Sequence, residues 1–266
     1  MPMVEDEPVD TLASYIKEVS QYPKGALFRG VSKASHELRP AIGRIGSCDT
    51  DSLREAALKA EYRLLNIFRI NSSALFQPKD FTSLVVLAQH HGIPTRLLDW
   101  SRNPLVALFF AARHHNDEDG KVYIARNIDY RPQDTLHYEQ YIMQNDTALM
   151  RKFNNYINTQ GIKATRDAYQ KFILSRKEVI ANIFQFHPFC IDPRMNAQAS
   201  VLTFHPDPFT PMTHGVIKEI TIPAAAKEKF MEMLGLCGVH EFALFPDLDG
   251  LSRWLKDICL PETMKS

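Results

Sequence analysis

Apolar residues recur at helical spacing in "TLASYIKEVS", where Leu12, Tyr15, Ile16 and Val19 share one face. "SLREAALKAEYRLLNIFRI" repeats the spacing over a longer stretch and predicts a long amphipathic helix. "DFTSLVVLAQHHG" opens on Asp80 as a cap and closes on Gly92, which predicts a helix between them. Asn103 and Pro104 form a cap and first-turn pair for a further helix, Leu105 to about His114. "GALFRG" reads as a short strand held between glycines, and "KVYIARN", "SVLTFHP", "GVIKEITIP" and "EFALF" read as strands. "PAAAKEKFMEMLG" and "DGLSRWLKDIC" read as helices, with Asp247 or Asp249 capping the second. The stretch from about 130 to 180 is polar and reads as helical. Strands and helices mix without regular βα alternation and without GxGxxG, which disfavours a parallel Rossmann sheet and favours α+β.

Composition narrows the class. The 266 residues are 45% hydrophobic and 23% charged, an ordinary globular profile. Lys+Arg and Asp+Glu are 31 each, so no global charge points to nucleic acid or membrane, and any such partner must meet a local patch. Cys48, Cys190, Cys237 and Cys259 form no CxxC pair. The acidic start "MPMVEDEPVD" lacks a basic region followed by an apolar one, and no apolar run approaches the ~20 residues that span a bilayer. These features predict a soluble cytoplasmic protein with reduced thiols.

The densest chemistry precedes the apolar helix at Leu105. Gln89, His90, His91, Thr95, Arg96, Asp99, Trp100, Ser101 and Arg102 crowd into a short span. A helix N-terminus carries unpaired N–H groups and partial positive charge, so this region could help bind an anion, with Arg96 and Arg102 adding charge. The alternative is a structural turn, with an Arg96–Asp99 salt bridge and Trp100 as a core plug.

"LFRG" at Leu27 to Gly30, "ELRPAIGRI", "QHHGIPTRLLDWSRNPLVALFFA" and "LFPDLDGL" at Leu244 to Leu251 together resemble the FRG-domain family. "PRMNAQASVLTFHP" and "IKEITIPAAAKEKFMEML" resemble the family's later strand and helix. The resemblance implies an N-terminal tail and helix over 1–19, then a single domain over about 20–260 with a variable helical insertion at about 130–180. It further implies an ADP-ribosyltransferase-like fold, a mixed or antiparallel split sheet with surrounding helices. The implied setting is a bacterial toxin–antitoxin or phage-defence system, with an antitoxin protein as partner.

In arginine-type ADP-ribosyltransferases an early strand arginine grips NAD, a Ser/Thr-rich strand and turn lead into a helix, and a late strand carries the catalytic Glu. This chain has that order in Arg29, Thr95 to Ser101, and Glu241. The resemblance thus implies NAD as substrate and Arg29 and Glu241 as catalytic residues. Arg29, Gly30, Gln89, His90, Thr95, Arg96, Asp99 and Ser101 are the implied NAD-binding set. A bidentate arginine suits the pyrophosphate, and hydroxyl and amide groups suit the ribose and nicotinamide. The usual Glu/Gln-x-Glu pattern is absent, since Val239 and His240 precede Glu241, and Asp99 is a competing carboxylate.

Other constellations carry less. Adjacent histidines on a helix point about 100° apart, so His90-His91 cannot readily chelate, and no metal is expected. "DLDG" lacks the later acids of a calcium loop, and GxSxG and P-loop patterns are absent. Arg151, Lys152, Lys163, Arg166 and Lys171, interleaved with Tyr156 and Tyr169, read as a surface for RNA or DNA or as a solvated helical face. The first of these makes nucleic acid favoured over protein as acceptor. Hydrolysis of NAD and a non-catalytic ligand- or phage-sensing module are the alternative functions.

Overall fold

Residues 9–46, 49–78, 80–114, 117–132, 183–189 and 192–260, with 158, 159, 161 and 163, are described by a computed structural model. Side-chain oxygens satisfy N–H groups that helix starts leave bare. Thr11 and Ser14 form a reciprocal capping box on α1 (Leu12–Val19). Thr50 caps α2 (Asp51–Ser72), Asp80 caps α3 (Phe81–His90) and Asn103 caps α4 (Pro104–Ala112). Asp192 caps α5 (Pro193–Ala197). A 3-10 turn at Ala224–Ala226 leads into α6 (Lys227–Leu236). The short α7 (Glu241–Leu244) precedes α8 (Leu248–Cys259), and Asp247 rather than Asp249 caps the latter. No described helix is long and apolar enough to cross a membrane.

The strands are β1 (Leu27–Val31), β2 (Leu97–Ser101), β3 (Gly120–Ala125), β4 (Asp129–Tyr130), β5 (Phe184–Phe186), β6 (Ser200–Phe204) and β7 (Val216–Ile222). Among the described residues they form one sheet of seven strands, ordered β4-β5-β6-β2-β1-β3-β7. Neighbours are antiparallel except β4 and β5, so the fold is α+β with a mixed sheet. Pairing is uneven. β1 and β3 run together from Leu27↔Ala125 to Val31↔Lys121, and β2 and β6 from Leu97↔Phe204 to Ser101↔Ser200. β1 and β2 pair at Phe28↔Ser101 alone. The expected split sheet is thus continuous but joined at one register position.

Directly opposed residues share a face, so Phe28, Ser101 and Ser200 point the same way. On that face α1, α4 and α6 cover one half, where Tyr15, Val106, Phe109 and Phe230 meet Phe28, Val122, Ile124 and Ile222. α2 and α3 cover the other half, where Leu65, Val85 and Val86 meet Leu97, Phe184, Leu202 and Phe204. α3 is buried from Thr82 to Ala88, as a helix apolar on nearly all sides must be. It ends where Gly92 takes φ +84°. α1 belongs to this core: Tyr15 is fully buried and its hydroxyl donates to the Pro104 carbonyl (2.8 Å).

Two local expectations change. "EFALF" is not a strand. His240 caps it by accepting the Ala243 N–H through Nδ1 (3.3 Å), which turns the segment into α7. Five residues are too few for apolar period to separate strand from helix. "LLDWS" is not a turn but β2, with Trp100 buried and its indole N–H donating to Thr203 (3.0 Å). Nearly all of the expected insertion at 130–180 lies outside the described residues. Arg151, Lys152, Arg166, Lys171, Tyr156 and Tyr169 are among those outside, and Lys163 is exposed.

Arg96 does not pair with Asp99. It reaches Glu61 on α2, donating its backbone N–H (2.9 Å), Nε (3.0 Å) and Nη2 (2.6 Å), with both residues buried. Removing one partner leaves an uncompensated charge, so Glu61→Ala should lower the unfolding free energy by about 3–5 kcal/mol, read from urea unfolding. Gly30 has no room for a side chain: an added Cβ would lie 1.8 Å from the Ala107 carbonyl oxygen of α4. Gly30→Ala must push α4 off β1 and should cost about 3 kcal/mol or more in the same assay.

Candidate functional site

The two groups of helices leave a gap above the point where β1 and β2 meet. A cavity of about 300 Å³ fills it. Phe28, Arg29 and Gly30 of β1, Asp99, Trp100 and Ser101 of β2, and Ser200 of β6 form its floor. Gln89 and His90 of α3 stand on one side and Val106, Ala107 and Phe110 of α4 on the other. Arg194, Gln198 and Phe245 complete the lining.

Arg29 sits where the ladder between β1 and β2 has stopped. Its Nη1 donates to the Asp99 backbone carbonyl (2.6 Å) and lies 3.8 Å from the Asp99 carboxylate. The side chain thereby satisfies a backbone acceptor that a paired strand would otherwise serve. Burial lowers the guanidinium pKa and the Asp99 charge opposes that shift, but an arginine remains charged regardless.

Asp99 is oriented by a relay. The Leu97 N–H donates to Thr95 Oγ1 (3.2 Å), the Thr95 hydroxyl donates to Gln89 Oε1, and Gln89 Nε2 donates to Asp99 Oδ1 (2.8 Å). The hydroxyl decides which way the amide faces, and the amide then presents its donor to the carboxylate. Thr95 is fully buried, so it and Arg96 support the site from beneath instead of lining it. The Asp99 side chain stays 63% exposed, open to a ligand.

Ser101 donates to the Gln198 carbonyl (2.7 Å) and accepts the Asn103 N–H (2.9 Å), so its hydroxyl shapes the floor. Asn103 Oδ1 accepts the Leu105 N–H (2.9 Å), which occupies a donor of the α4 N-terminus expected to face an anion. Arg102 turns to His187 Nε2 (2.5 Å). Gly30 lines the cavity, but the close approach it permits is to α4.

His90 Nε2 lies 3.2 Å from Asp192. Burial lowers the His90 pKa, Asp192 raises it, and the net shift is downward. Among the described residues no group of three or more His, Cys, Asp or Glu could hold a metal.

Glu241 is elsewhere. Its Oε1 accepts from Arg113 Nη2 (2.7 Å) and Arg253 Nε (2.5 Å), and it does not line the cavity. The strand that would have presented it is the single turn α7. Sequence reasoning missed Arg194, Gln198 and Phe245. A signal existed: Asp192-Pro193 repeats the cap-and-proline pair of Asn103-Pro104 and announces the helix that carries Arg194.

Residues 24–120 match the FRG domain family. That match covers 97 of the 266 residues. The matched span holds β1, α2, α3, β2 and α4, hence Arg29, Gly30, Gln89, His90, Asp99 and Ser101. Arg194, Gln198, Ser200 and Phe245, which complete the cavity lining, lie beyond it. No curated protein and no solved structure matches the chain.

Behind this floor, the buried His205 continues the contact of Trp100 with Thr203, its Nε2 2.9 Å from Thr203 Oγ1. Burial first, and then the charge of Arg29, hold its pKa down to about 3. The unfolded chain takes up this proton near pH 6.5 and the folded chain does not. Stability from this group is therefore full above pH 6.5 and falls as the pH drops toward 3, by up to roughly 5 kcal/mol. His205→Gln should flatten the acid limb of the unfolding free energy between those pH values, measured beside wild type. A parallel loss in both proteins would exclude His205 as its source.

Proposed function

We propose that the chain is an NAD-dependent ADP-ribosyltransferase, a cytoplasmic toxin or phage-defence effector of a bacterium, with RNA or DNA favoured as acceptor. The observation that carries this reading is the meeting of Arg29, Asp99 and Ser101 in one cavity at the junction of β1 and β2. The order of these residues along the chain also resembles that of arginine-type ADP-ribosyltransferases.

In the reaction the bond from nicotinamide nitrogen to ribose C1′ breaks, and nicotinamide leaves with the electron pair. The sugar becomes oxocarbenium-like and needs a nearby carboxylate. The acceptor's nucleophilic atom then bonds C1′ and passes its proton to that carboxylate. Asp99 is the carboxylate of choice, because it is open to the cavity and held by Gln89, whereas Glu241 is engaged by Arg113 and Arg253. Arg29 supplies charged donors for the substrate's phosphates. Phe28, Phe110 and Phe245 offer apolar surface to the nicotinamide ring. A toxin of this kind requires an antitoxin protein to silence it, and the basic residues Arg151, Lys152, Lys163, Arg166 and Lys171 are the candidates for meeting a nucleic-acid acceptor.

The test is incubation with adenylate-labelled NAD and separate pools of cellular RNA, DNA and protein. Label should enter one nucleic-acid pool and be lost with folded Arg29→Ala and Asp99→Asn. Free ADP-ribose with no labelled pool would assign hydrolysis instead. Intact NAD would leave a ligand-sensing module.

A further inference from the structure

Two arginines line the cavity, from opposite parts of the chain: Arg29 on β1 and Arg194 on α5. Arg194 donates Nε (2.8 Å) and Nη2 to the same oxygen, Oδ2 of Asp247. Its Nη1 has no partner among the described residues, and its side chain is 24% exposed. The guanidinium lies 5.2 Å from the centre of the ring of Phe245, another lining residue, close enough for a cation–π contact. Phe245 in turn meets Phe110 edge-on at 6.0 Å. A fixed planar cation thus stands beside an aromatic pair, with the amides of Gln89 and Gln198 in the same lining.

Asp247 is shared. Its Oδ1 accepts the Gly250 N–H that starts α8 (2.7 Å), and this bond first, then Arg194, lowers its pKa. The carboxylate therefore keeps a reason to stay ionised and in place when Arg194 turns to a ligand. Guanidinium donors in a fork match phosphate oxygens, and the neighbouring rings and amides match a planar base and a ribose.

We infer that Arg194 is the cavity's phosphate anchor, so that the ligand is a nucleotide whose phosphate exchanges with Asp247 for the guanidinium. This rests on the proposed reading of the cavity as an NAD site, and deepens it by adding a phosphate contact beyond Arg29.

The experiment is calorimetric titration of the whole chain with inorganic pyrophosphate, ADP-ribose and nicotinamide riboside, with NAD turnover followed separately. Arg194→Ala should weaken pyrophosphate and ADP-ribose binding about tenfold to a hundredfold and leave nicotinamide riboside, which has no phosphate, unchanged. Asp247→Asn keeps a capping oxygen on α8 but removes the competing charge, so it should tighten pyrophosphate binding. A purely structural Arg194–Asp247 pair predicts the reverse, and weaker binding in Asp247→Asn would overturn the inference. So would failure of wild type to bind either phosphate-bearing probe, or unchanged affinity in Arg194→Ala. Pyrophosphate binding that depends on Arg194, with NAD never consumed, would uphold the anchor and remove the transferase reading.

Discussion

The site depends on a place where β pairing stops. β1 and β2 share the one position Phe28↔Ser101, and past it the Arg29 guanidinium takes over the Asp99 carbonyl. A full ladder there would have closed the floor and consumed the backbone groups of both strands. The interrupted ladder instead lets a charged side chain enter the sheet beside a ligand cavity. The cost of burying that charge is offset by the carbonyl and by the Asp99 carboxylate nearby. The two halves of the sheet are then held at a fixed separation by their own helices, α4 against β1 and α3 against β2 and β6.

Supporting groups around the cavity are engaged with one another. Thr95 sets the Gln89 amide, which sets Asp99. Ser101 fixes the Gln198 backbone, and Gln198 reaches the Leu244 carbonyl (3.0 Å). Asp192 both starts α5 and meets His90. Ala199, between Gln198 and Ser200, holds φ +47°, a conformation that usually costs a residue with a side chain about 1–2 kcal/mol. That strain sits between two lining residues, where the surrounding hydrogen bonds hold it in place.

Much of the fold was legible in the chain. Caps at Asp80 and Asn103, the stop at Gly92, and the short strand segments that form β1, β3, β6 and β7 are local features, and each appears where the chain puts it. The motif from Gln89 to Ser101 does bring Gln89, His90, Asp99 and Ser101 to one cavity with Arg29. Thr95 and Arg96, from the same motif, serve it from below, because β2 buries them against α3 and α2. The family match ends at residue 120, so four of the lining residues, Arg194, Gln198, Ser200 and Phe245, lie outside it.

The sequence by itself determined where helices begin, which faces are apolar, and which short motif gathers polar groups, because these follow from neighbours a few residues away. Tertiary structure decided which of those groups act together. Arg96 could have met Asp99 but found Glu61, because α2 carries a buried carboxylate to it. Glu241 could have stood on a strand but became part of α7, between Arg113 and Arg253. Arg194 joined the cavity from a segment far along the chain. Pairing of charges across such separations is set by packing, and no local period records it.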